Sequence, residues 1–222
     1  NNIVHDCTRG LWLDWEAQGT RVTRNAFFNN HEEDIFIEVC HGPCTIDNNL
    51  LLSDCSLRNM SQGTAFVHNL FAGSTKVFRE LDRFTMYHFP HDTFVSGLMV
   101  IYGGDDKICG NVYVGKKMEE CCGNAVYNGY LDVHAEQDVN KSGHPKPYQD
   151  YTLPVSIHDN IYFNGARKYE CERGAEEERD FEVNLQIMRS GNQYYLETNL
   201  SEYKFDAKLA IVTTEMLGKS YA

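Results

Sequence analysis

The chain has 222 residues, of which 42% are hydrophobic, and its formal net charge is −12. A chain of this length can bury a substantial core without depending on disulfides. The acidic balance argues against nucleic acid or an anionic membrane surface as a partner. No apolar run approaches the ~20 residues of a membrane span. The sequence leaves open whether copies of the chain form a homo-oligomer.

Short apolar runs recur along the chain, and an asparagine opens each of them. With spacings of 23, 24, 20, 42 and 49 residues, these asparagines are Asn2, Asn25, Asn49, Asn69, Asn111 and Asn160. The runs are rich in Ile, Val, Phe and Tyr, which is typical of strands. One turn residue per repeat predicts an all-β fold, a right-handed parallel β-helix with stacked asparagines. We interpret the 42-residue spacing as two coils, and the 49-residue spacing as two coils or one coil with a long loop. A β-sandwich with asparagine in its hairpins is the alternative.

Two acids lie at the same phase of this repeat. Asp14 and Glu38 each precede the asparagine of their own coil by eleven residues. Neighbouring strands lie about 4.8 Å apart, and retaining glycosidases hold their two carboxyl groups about 5–5.5 Å apart. The repeat therefore predicts a catalytic carboxyl pair. A strict count also places Arg58 at this phase, on the third coil.

Strand alternation predicts which side chains face the solvent. The face expected to fill the core carries Leu11, Leu13, Trp15, Ile35, Ile37 and Val39. The opposite face carries the two acids together with Trp12 and Phe36, whose rings could pack on the apolar faces of a sugar. An acidic groove of this kind suits a neutral sugar. Two exposed carboxylates on a generally acidic surface are the alternative interpretation.

Further polar and aromatic residues are candidates for binding the sugar. They are Trp12, Gln18, His41, Tyr87, His88 and His91. Gln18 lies in the turn after Asp14, where its amide could bond a ring hydroxyl. His88 and His91 flank a Phe-Pro pair in a segment expected to be a loop, and loops often carry binding residues.

The second half of the chain is less regular. Residues 116–156 are rich in Gly, Asn and Lys and predict a long loop or an insertion between coils. Strict alternation from Phe181 to Ile187, a turn at Ser190 and a returning apolar run predict a β-hairpin. We therefore divide the chain into parallel coils at 1–165 and a short antiparallel β segment at 166–222.

Eight cysteines raise the question of metal or disulfides. Neither the Cys40–Cys44 segment nor the Cys121–Cys122 pair has the paired spacing of a zinc knuckle. Buried free thiols are the favoured interpretation, with no metal or other cofactor, and they point to a reducing compartment such as the cytoplasm. The chain starts inside a coil without a visible cap, so we expect a fragment of a longer chain whose other coils carry part of the site.

Several stretches of the sequence also carry a family resemblance. They are GLWLDWEAQGTRV at 10–22, DIFIEV at 34–39, HGP at 41–43, DNN at 47–49, YHFPH at 87–91 and GGDD at 103–106. In these stretches the chain resembles the glycoside hydrolase family 120 β-xylosidases. The similarity runs to about Asn160 and less distinctly to the end. It implies retaining enzymes on a right-handed β-helix with an associated β-sandwich. It also implies that Asp14 is the nucleophile and Glu38 the acid/base, an assignment that the residues alone leave open.

We therefore expect a retaining glycoside hydrolase of β-xylosidase type. It would release sugars from the end of xylo-oligosaccharides by a double displacement that uses two carboxyl groups. Two alternatives remain. A non-catalytic carbohydrate-binding β-helix would keep the outward aromatics but would not need both acids. A polysaccharide lyase would need a basic site that neutralises uronate carboxylates.

Overall fold

The computed structural model describes residues 1–88, 92, 94–116, 122–130, 152–205, 212–218 and 221. This part of the chain is nearly all β. Its helical structure consists of two 3₁₀ turns and one α-helical turn, at Ala125–Tyr127, Leu200–Glu202 and Thr214–Leu217 (α1). No helix within it has the length and apolar character needed to cross a bilayer.

Most strands belong to three parallel sheets. Sheet A contains, in order, β1 (Ile3–His5), β4 (Ala26–Phe28), β7 (Leu50–Leu51), β10 (Leu70–Phe71), β15 (Val112–Val114), β17 (Ile161–Phe163) and β18 (Glu176–Glu177). Sheet B contains β2 (Arg9–Leu13), β5 (Glu33–Glu38), β8 (Cys55–Met60) and β11 (Ser74–Val77). Sheet C contains β3 (Arg21–Thr23), β6 (Cys44–Asp47), β9 (Thr64–Val67), β14 (Lys107–Cys109) and β16 (Ser156–His158).

The order of the strands shows how the chain coils. Consecutive strands β2, β3 and β4 enter sheets B, C and A in turn, and β5, β6 and β7 repeat the circuit. Within each sheet, every strand pairs in parallel with the equivalent strand of the next coil. Parallel sheets built in this way fit a β-helix, in which each coil contacts mainly its two neighbours.

A ladder of asparagine side chains runs along sheet A. Each Nδ2 donates a hydrogen bond to Oδ1 of the asparagine on the next coil, at 2.9 to 3.1 Å, from Asn2 through to Asn160. The backbone N–H of each asparagine donates to the same Oδ1 atom. Asn160 then donates to Glu172 Oε1 at 2.8 Å, which ends the ladder on a carboxylate. The predicted stacking of asparagines is confirmed.

The two longest asparagine spacings, of 42 and 49 residues, each hold a single coil. Asn69 bonds directly to Asn111, and Asn111 bonds to Asn160, so no coil intervenes. The interpretation of 42 residues as two coils is therefore wrong. Those residues instead include an antiparallel hairpin, β12 (Glu80–His88) and β13 (Val95–Ile101), inserted between β11 and β14. The 49-residue spacing likewise holds one coil and not two. Most of residues 116–156, predicted to be a long loop or an insertion, lie outside the described residues.

The interior of the coils is aliphatic near β5 and aromatic further along the chain. Ile35, Ile37 and Val39 are fully buried, as their alternation predicts. Phe71, Tyr113 and Tyr162 are also buried, and they stack on successive coils with ring centroids 4.9 and 5.1 Å apart. Trp15 contradicts its predicted core position, because β2 ends at Leu13 and the turn that follows leaves Trp15 48% exposed.

The predicted C-terminal hairpin is present. It consists of the antiparallel strands β19 (Leu185–Ser190) and β20 (Gln193–Thr198), joined by Gly191 and Asn192. Sheet A continues to β18, beyond the boundary predicted at residue 165. The division of the chain into two regions stays a prediction.

Most of the described cysteines lie inside the fold. Those that are buried are Cys40, Cys44, Cys55, Cys109 and Cys122, whereas Cys7 and Cys171 are exposed. Burial raises the pKa of Cys40 to about 12 and that of Cys44 to about 11. These two thiols are therefore protonated at neutral pH and unreactive as nucleophiles.

Candidate active site

The pairing of β2 with β5 sets the positions of the two acids. Trp12 lies opposite Phe36 and Leu13 opposite Ile37. Asp14, which directly follows β2, therefore comes opposite Glu38 at the end of β5. Leu13 and Ile37 point into the core, so the next residue on each strand points outward. The two acids lie on neighbouring coils and on the same outer face, in agreement with their common phase.

The polypeptide around the two acids is closely packed. The Cys40 thiol lies within hydrogen-bonding distance of the backbone oxygens of both Asp14 (3.6 Å) and Glu38 (3.2 Å). Gly10 lies where an added Cβ would come within 2.5 Å of the Asp34 backbone oxygen. A residue with a side chain at this position would push β2 away from β5. Glycine thus allows the close approach on which the position of Asp14 depends.

The two acids have different surroundings. Glu38 is held at both oxygens: Trp12 Nε1 donates to Oε2 at 3.0 Å, and Arg83 donates to Oε1 at 2.9 Å. Its side chain is only 17% exposed. Asp14 is exposed, and its Oδ1 accepts a hydrogen bond from the backbone N–H of Trp15 at 2.7 Å. Asp14 is thus the more accessible carboxylate, whereas Glu38 is fixed in place by a cation and an indole.

His41 fastens the inserted hairpin to the coils. Its Nε2 lies 2.5 Å from Thr85 Oγ1 on β12, and Gln62 donates to its Nδ1 at 3.0 Å. Burial lowers the pKa of His41 to about 4, so the ring is neutral at neutral pH. Because both ring nitrogens are bonded inside the protein, this predicted sugar-binding residue lies in the interior and positions the hairpin.

The other predicted binding residues lie at the same junction. Gln18 Nε2 donates to the His88 backbone oxygen at 3.0 Å, which ties the turn after Asp14 to the end of β12. Tyr87 is buried, with its ring edge-on to His41 at 5.5 Å. The His88 side chain is half-buried, and its Nδ1 has no hydrogen-bond partner among the described residues. His91 lies outside the described residues.

The two outward aromatics differ in accessibility. Trp12 is 47% exposed and stacks on Phe36, with ring centroids 5.6 Å apart. Phe36 itself is only 4% exposed, because Trp12 covers it on one side and the Arg58 guanidinium lies 4.5 Å from its ring on the other. Trp12 is therefore the aromatic surface that a sugar could reach beside the acids.

Arg58 does not share the phase of the acids, so that prediction is wrong. In the observed pairing Arg58 lies opposite Phe36, and Met60 lies opposite Glu38. The segment between β8 and β9 is two residues shorter than the one between β5 and β6. Counting eleven residues back from Asn69 therefore reaches Arg58, two residues before Met60, which is the true equivalent of Glu38. The face predicted to be acidic also carries basic residues, Arg58 and Lys76.

Arg83 was missed from the sequence, although it makes the ion pair with Glu38. Its guanidinium also lies 5.5 Å from the Trp15 ring. Arg83 is 45 residues from Glu38 in the chain, and it reaches the acid because β12 folds back over sheet B. Arg83 lies on a hairpin that interrupts the repeat, and the repeat was the signal from which the site was predicted. The sequence pattern therefore did not indicate this contact.

A large cleft lies away from the acids. It has a volume of about 820 Å³ and lies between the outer face of sheet A and the C-terminal hairpin, near Phe28, Val114 and Tyr194. Neither acid lines it. A large cleft is the usual first candidate for a binding site, but here the carboxyl pair lies on an open face, and its chemistry is the stronger indication.

Comparison with known proteins gives one informative similarity. No family model matches the chain, and no curated protein matches it. A solved structure of XylC in complex with xylose is similar to this chain, with a TM-score of 0.74 and 41% sequence identity over 88% of the chain. The match covers 31% of XylC, so this chain spans about a third of the length of that protein.

Proposed function

We propose that the protein containing this chain is a retaining glycoside hydrolase, a β-xylosidase of glycoside hydrolase family 120 type on a right-handed parallel β-helix. The observation that carries the proposal is the placement of Asp14 and Glu38 on neighbouring coils of one outer face. The similarity to XylC, whose structure contains xylose, supports a xylose-related substrate. The exposed Trp12 beside the acids supports a sugar ligand.

In the proposed reaction each acid has a separate role. The Asp14 carboxylate attacks the anomeric carbon while the bond to the leaving oxygen breaks and that oxygen takes a proton from Glu38. The product is a xylosyl ester of Asp14 and a shortened oligosaccharide. The Glu38 carboxylate then removes a proton from water, whose oxygen attacks the anomeric carbon and releases Asp14. Two inversions leave the configuration of the sugar unchanged.

The role of Glu38 requires Arg83 to move. Trp12 donates to one oxygen of Glu38 and Arg83 to the other, so neither oxygen is free to contact the leaving oxygen of a substrate. We propose that the bound substrate displaces Arg83 from Glu38, while the guanidinium keeps its contact with the Trp15 ring, from which it lies 5.5 Å.

Kinetics of single variants in the whole protein test the two roles. Asp14→Ala should abolish cleavage of every xyloside, and azide should not restore it with retained configuration. Glu38→Ala should lose far more activity on xylobiose than on an aryl xyloside with a good leaving group, because a good leaving group needs little protonation. Azide should accelerate Glu38→Ala and give a xylosyl azide with the configuration of the substrate. Glu32→Ala, an exposed acid on the same coil, is the matched control and should keep nearly full activity.

Two outcomes would count against this proposal. If both variants respond alike to the leaving group and to azide, the assignment of roles is wrong. If neither substitution costs more than about tenfold in rate, roughly 1.4 kcal/mol of barrier, the protein is not a hydrolase acting through these acids. A carbohydrate-binding β-helix then becomes the better explanation.

A further inference from the structure

A row of outward side chains runs along sheet B beside the acid pair. In the observed pairing Trp12, Phe36, Arg58 and Lys76 occupy equivalent positions on four successive coils. The first two are aromatic and the next two are cationic. The row thus changes from the exposed Trp12 ring, which a sugar could reach, to two side chains suited to a negative charge.

Arg58 differs from the other arginines near this face because none of the described acids pairs with it. Arg9 pairs with Glu33, and Arg83 pairs with Glu38. Among the residues that the structure describes, neither Arg58 nor Lys76 forms an ion pair, and the buried Nε of Arg58 has no hydrogen-bond partner. A buried donor without an acceptor costs about 1–3 kcal/mol. In a chain with 32 acidic residues, the described residues thus leave this guanidinium without an anionic partner.

The packing of Arg58 prepares it for a carboxylate. Its guanidinium carbon lies 4.5 Å from the Phe36 ring and 5.4 Å from the Phe78 ring. Two ring contacts hold the planar group in place, so little side-chain entropy remains to be lost on binding. A fixed guanidinium whose N–H groups are free can bind both oxygens of a carboxylate at once.

The distance from the acids indicates what carries this carboxylate. Arg58 is one coil beyond Phe36 and Lys76 is two coils beyond it, which corresponds to about 5 and 10 Å along the sheet. A sugar adjoining the one held at Asp14 and Glu38 would therefore lie over the two cations.

We propose that Arg58 and Lys76 bind the carboxylate of a uronic acid substituent on the oligosaccharide. This inference rests on the proposed function and deepens it, because it makes acid-substituted xylo-oligosaccharides part of the substrate class. The expectation of a strictly neutral sugar came from a groove thought to be acidic, and the paired Glu33 and Glu38 together with the unpaired Arg58 and Lys76 remove that basis.

A matched pair of substrates tests the proposal in the whole protein. They are xylotriose and the same trisaccharide carrying one glucuronosyl branch, assayed for kcat/KM and for binding by calorimetry. The measured quantity is the ratio of kcat/KM for the branched, charged substrate to kcat/KM for xylotriose. This ratio should fall about tenfold in Arg58→Gln, and by a smaller factor in Lys76→Gln, because Lys76 is more exposed. It should also fall as salt is added. Arg24→Gln removes an exposed positive charge in the turn between β3 and β4 and should leave the ratio unchanged.

The outcomes separate this inference from the proposed function. If the protein cleaves xylotriose but Arg58→Gln and Lys76→Gln leave the ratio unchanged, this inference fails and the hydrolase stands. If Arg58→Gln mainly lowers the free energy of unfolding and the two substrates are treated alike, a carboxylate of the protein itself occupies the site, and the inference also fails. If the branched substrate yields an unsaturated sugar instead of a hydrolysed one, the proposed hydrolase fails, although selective loss of its binding in both variants would still support the carboxylate site.

Discussion

Replacing Asn49 by alanine tests how much the asparagine ladder stabilises the fold. Asn49 is 1% exposed and lies in the middle of the ladder. Its Oδ1 accepts from the backbone N–H of Asn25 at 3.0 Å and from Asn25 Nδ2 at 3.1 Å. Its Nδ2 donates to Asn69 Oδ1 at 3.1 Å and to the backbone oxygens of Val22 at 2.9 Å and Asp47 at 3.0 Å. Asn49→Ala removes all five hydrogen bonds.

The expected cost follows from the groups left without partners. Two buried donors of Asn25 lose their acceptor, and each such loss costs about 1–3 kcal/mol. The oxygen of Asn69 still accepts from the backbone N–H of residue 49, so it adds little. We therefore expect Asn49→Ala to lower the free energy of unfolding by about 2–6 kcal/mol. Asn192→Ala, in the exposed turn between β19 and β20, is the control and should cost less than about 1 kcal/mol, because its side chain is solvated in the folded state.

Denaturant unfolding of the whole protein measures both changes. The midpoint should shift much further for Asn49→Ala than for Asn192→Ala, with the slope of the transition unchanged. Equal costs for the two variants would contradict the reasoning, because they would show that the buried hydrogen bonds of Asn49 add no stability. Asn49→Asp provides a second comparison: its carboxylate still accepts from Asn25 but faces the Asn69 oxygen, so we expect a loss of stability there as well.

Three further predictions concern the packing around the site. Since burial lowers the pKa of His41 to about 4 from about 6.5, the unfolded chain takes up the proton first. The contribution of His41 to the free energy of unfolding should therefore fall by about 3 kcal/mol as the pH drops from about 6.5 to 4. In His41→Phe, the free energy of unfolding measured over the same pH range should lack this decrease. Gly10→Ala should cost about 1–3 kcal/mol through overpacking, and it should lower kcat on xylosides by displacing the strand that leads to Asp14. Asp106 accepts hydrogen bonds from three buried donors; Asp106→Asn should lower the unfolding free energy by about 1–3 kcal/mol, because one donor must then face an amide N–H.

The repeat and the two acids could be predicted from the sequence because they depend on neighbouring coils of nearly equal length. Asn2, Asn25 and Asn49 are 23 and 24 residues apart, so the coils stack with little adjustment. A buried asparagine also has to bond to its neighbours, which makes its spacing a direct signal of the stack. The acids share this signal because Asp14 and Glu38 lie on the two most regular coils.

Counting residues failed where the coil length changes. The third coil is two residues shorter between β8 and β9, which moved Arg58 out of phase with the acids. The fourth coil carries the β12–β13 hairpin, so its length resembled two coils. Strand pairing sets the register in both cases, and a change of loop length alters the count without altering the pairing. Sequence periodicity alone does not distinguish a long coil from two short ones.

The surroundings of the acids depend on the irregular part of the repeat. Glu38 is held by Arg83 from the inserted hairpin, and that hairpin is fastened to the coils by His41. Arg83 occupies one oxygen of Glu38, so the insertion fixes the orientation of this carboxyl group. The regular coils therefore bring the two carboxyl groups together, while the insertion holds Glu38 in place. Arg83→Met should separate these contributions. If the acids act as proposed, it should lower kcat more on xylobiose than on an aryl xyloside with a good leaving group, because only the former needs a well-placed proton donor. It should change the stability of the coils little, since the ion pair is partly exposed and contributes at most about 1 kcal/mol to folding. Equal loss on both substrates would show that Arg83 does not act through Glu38.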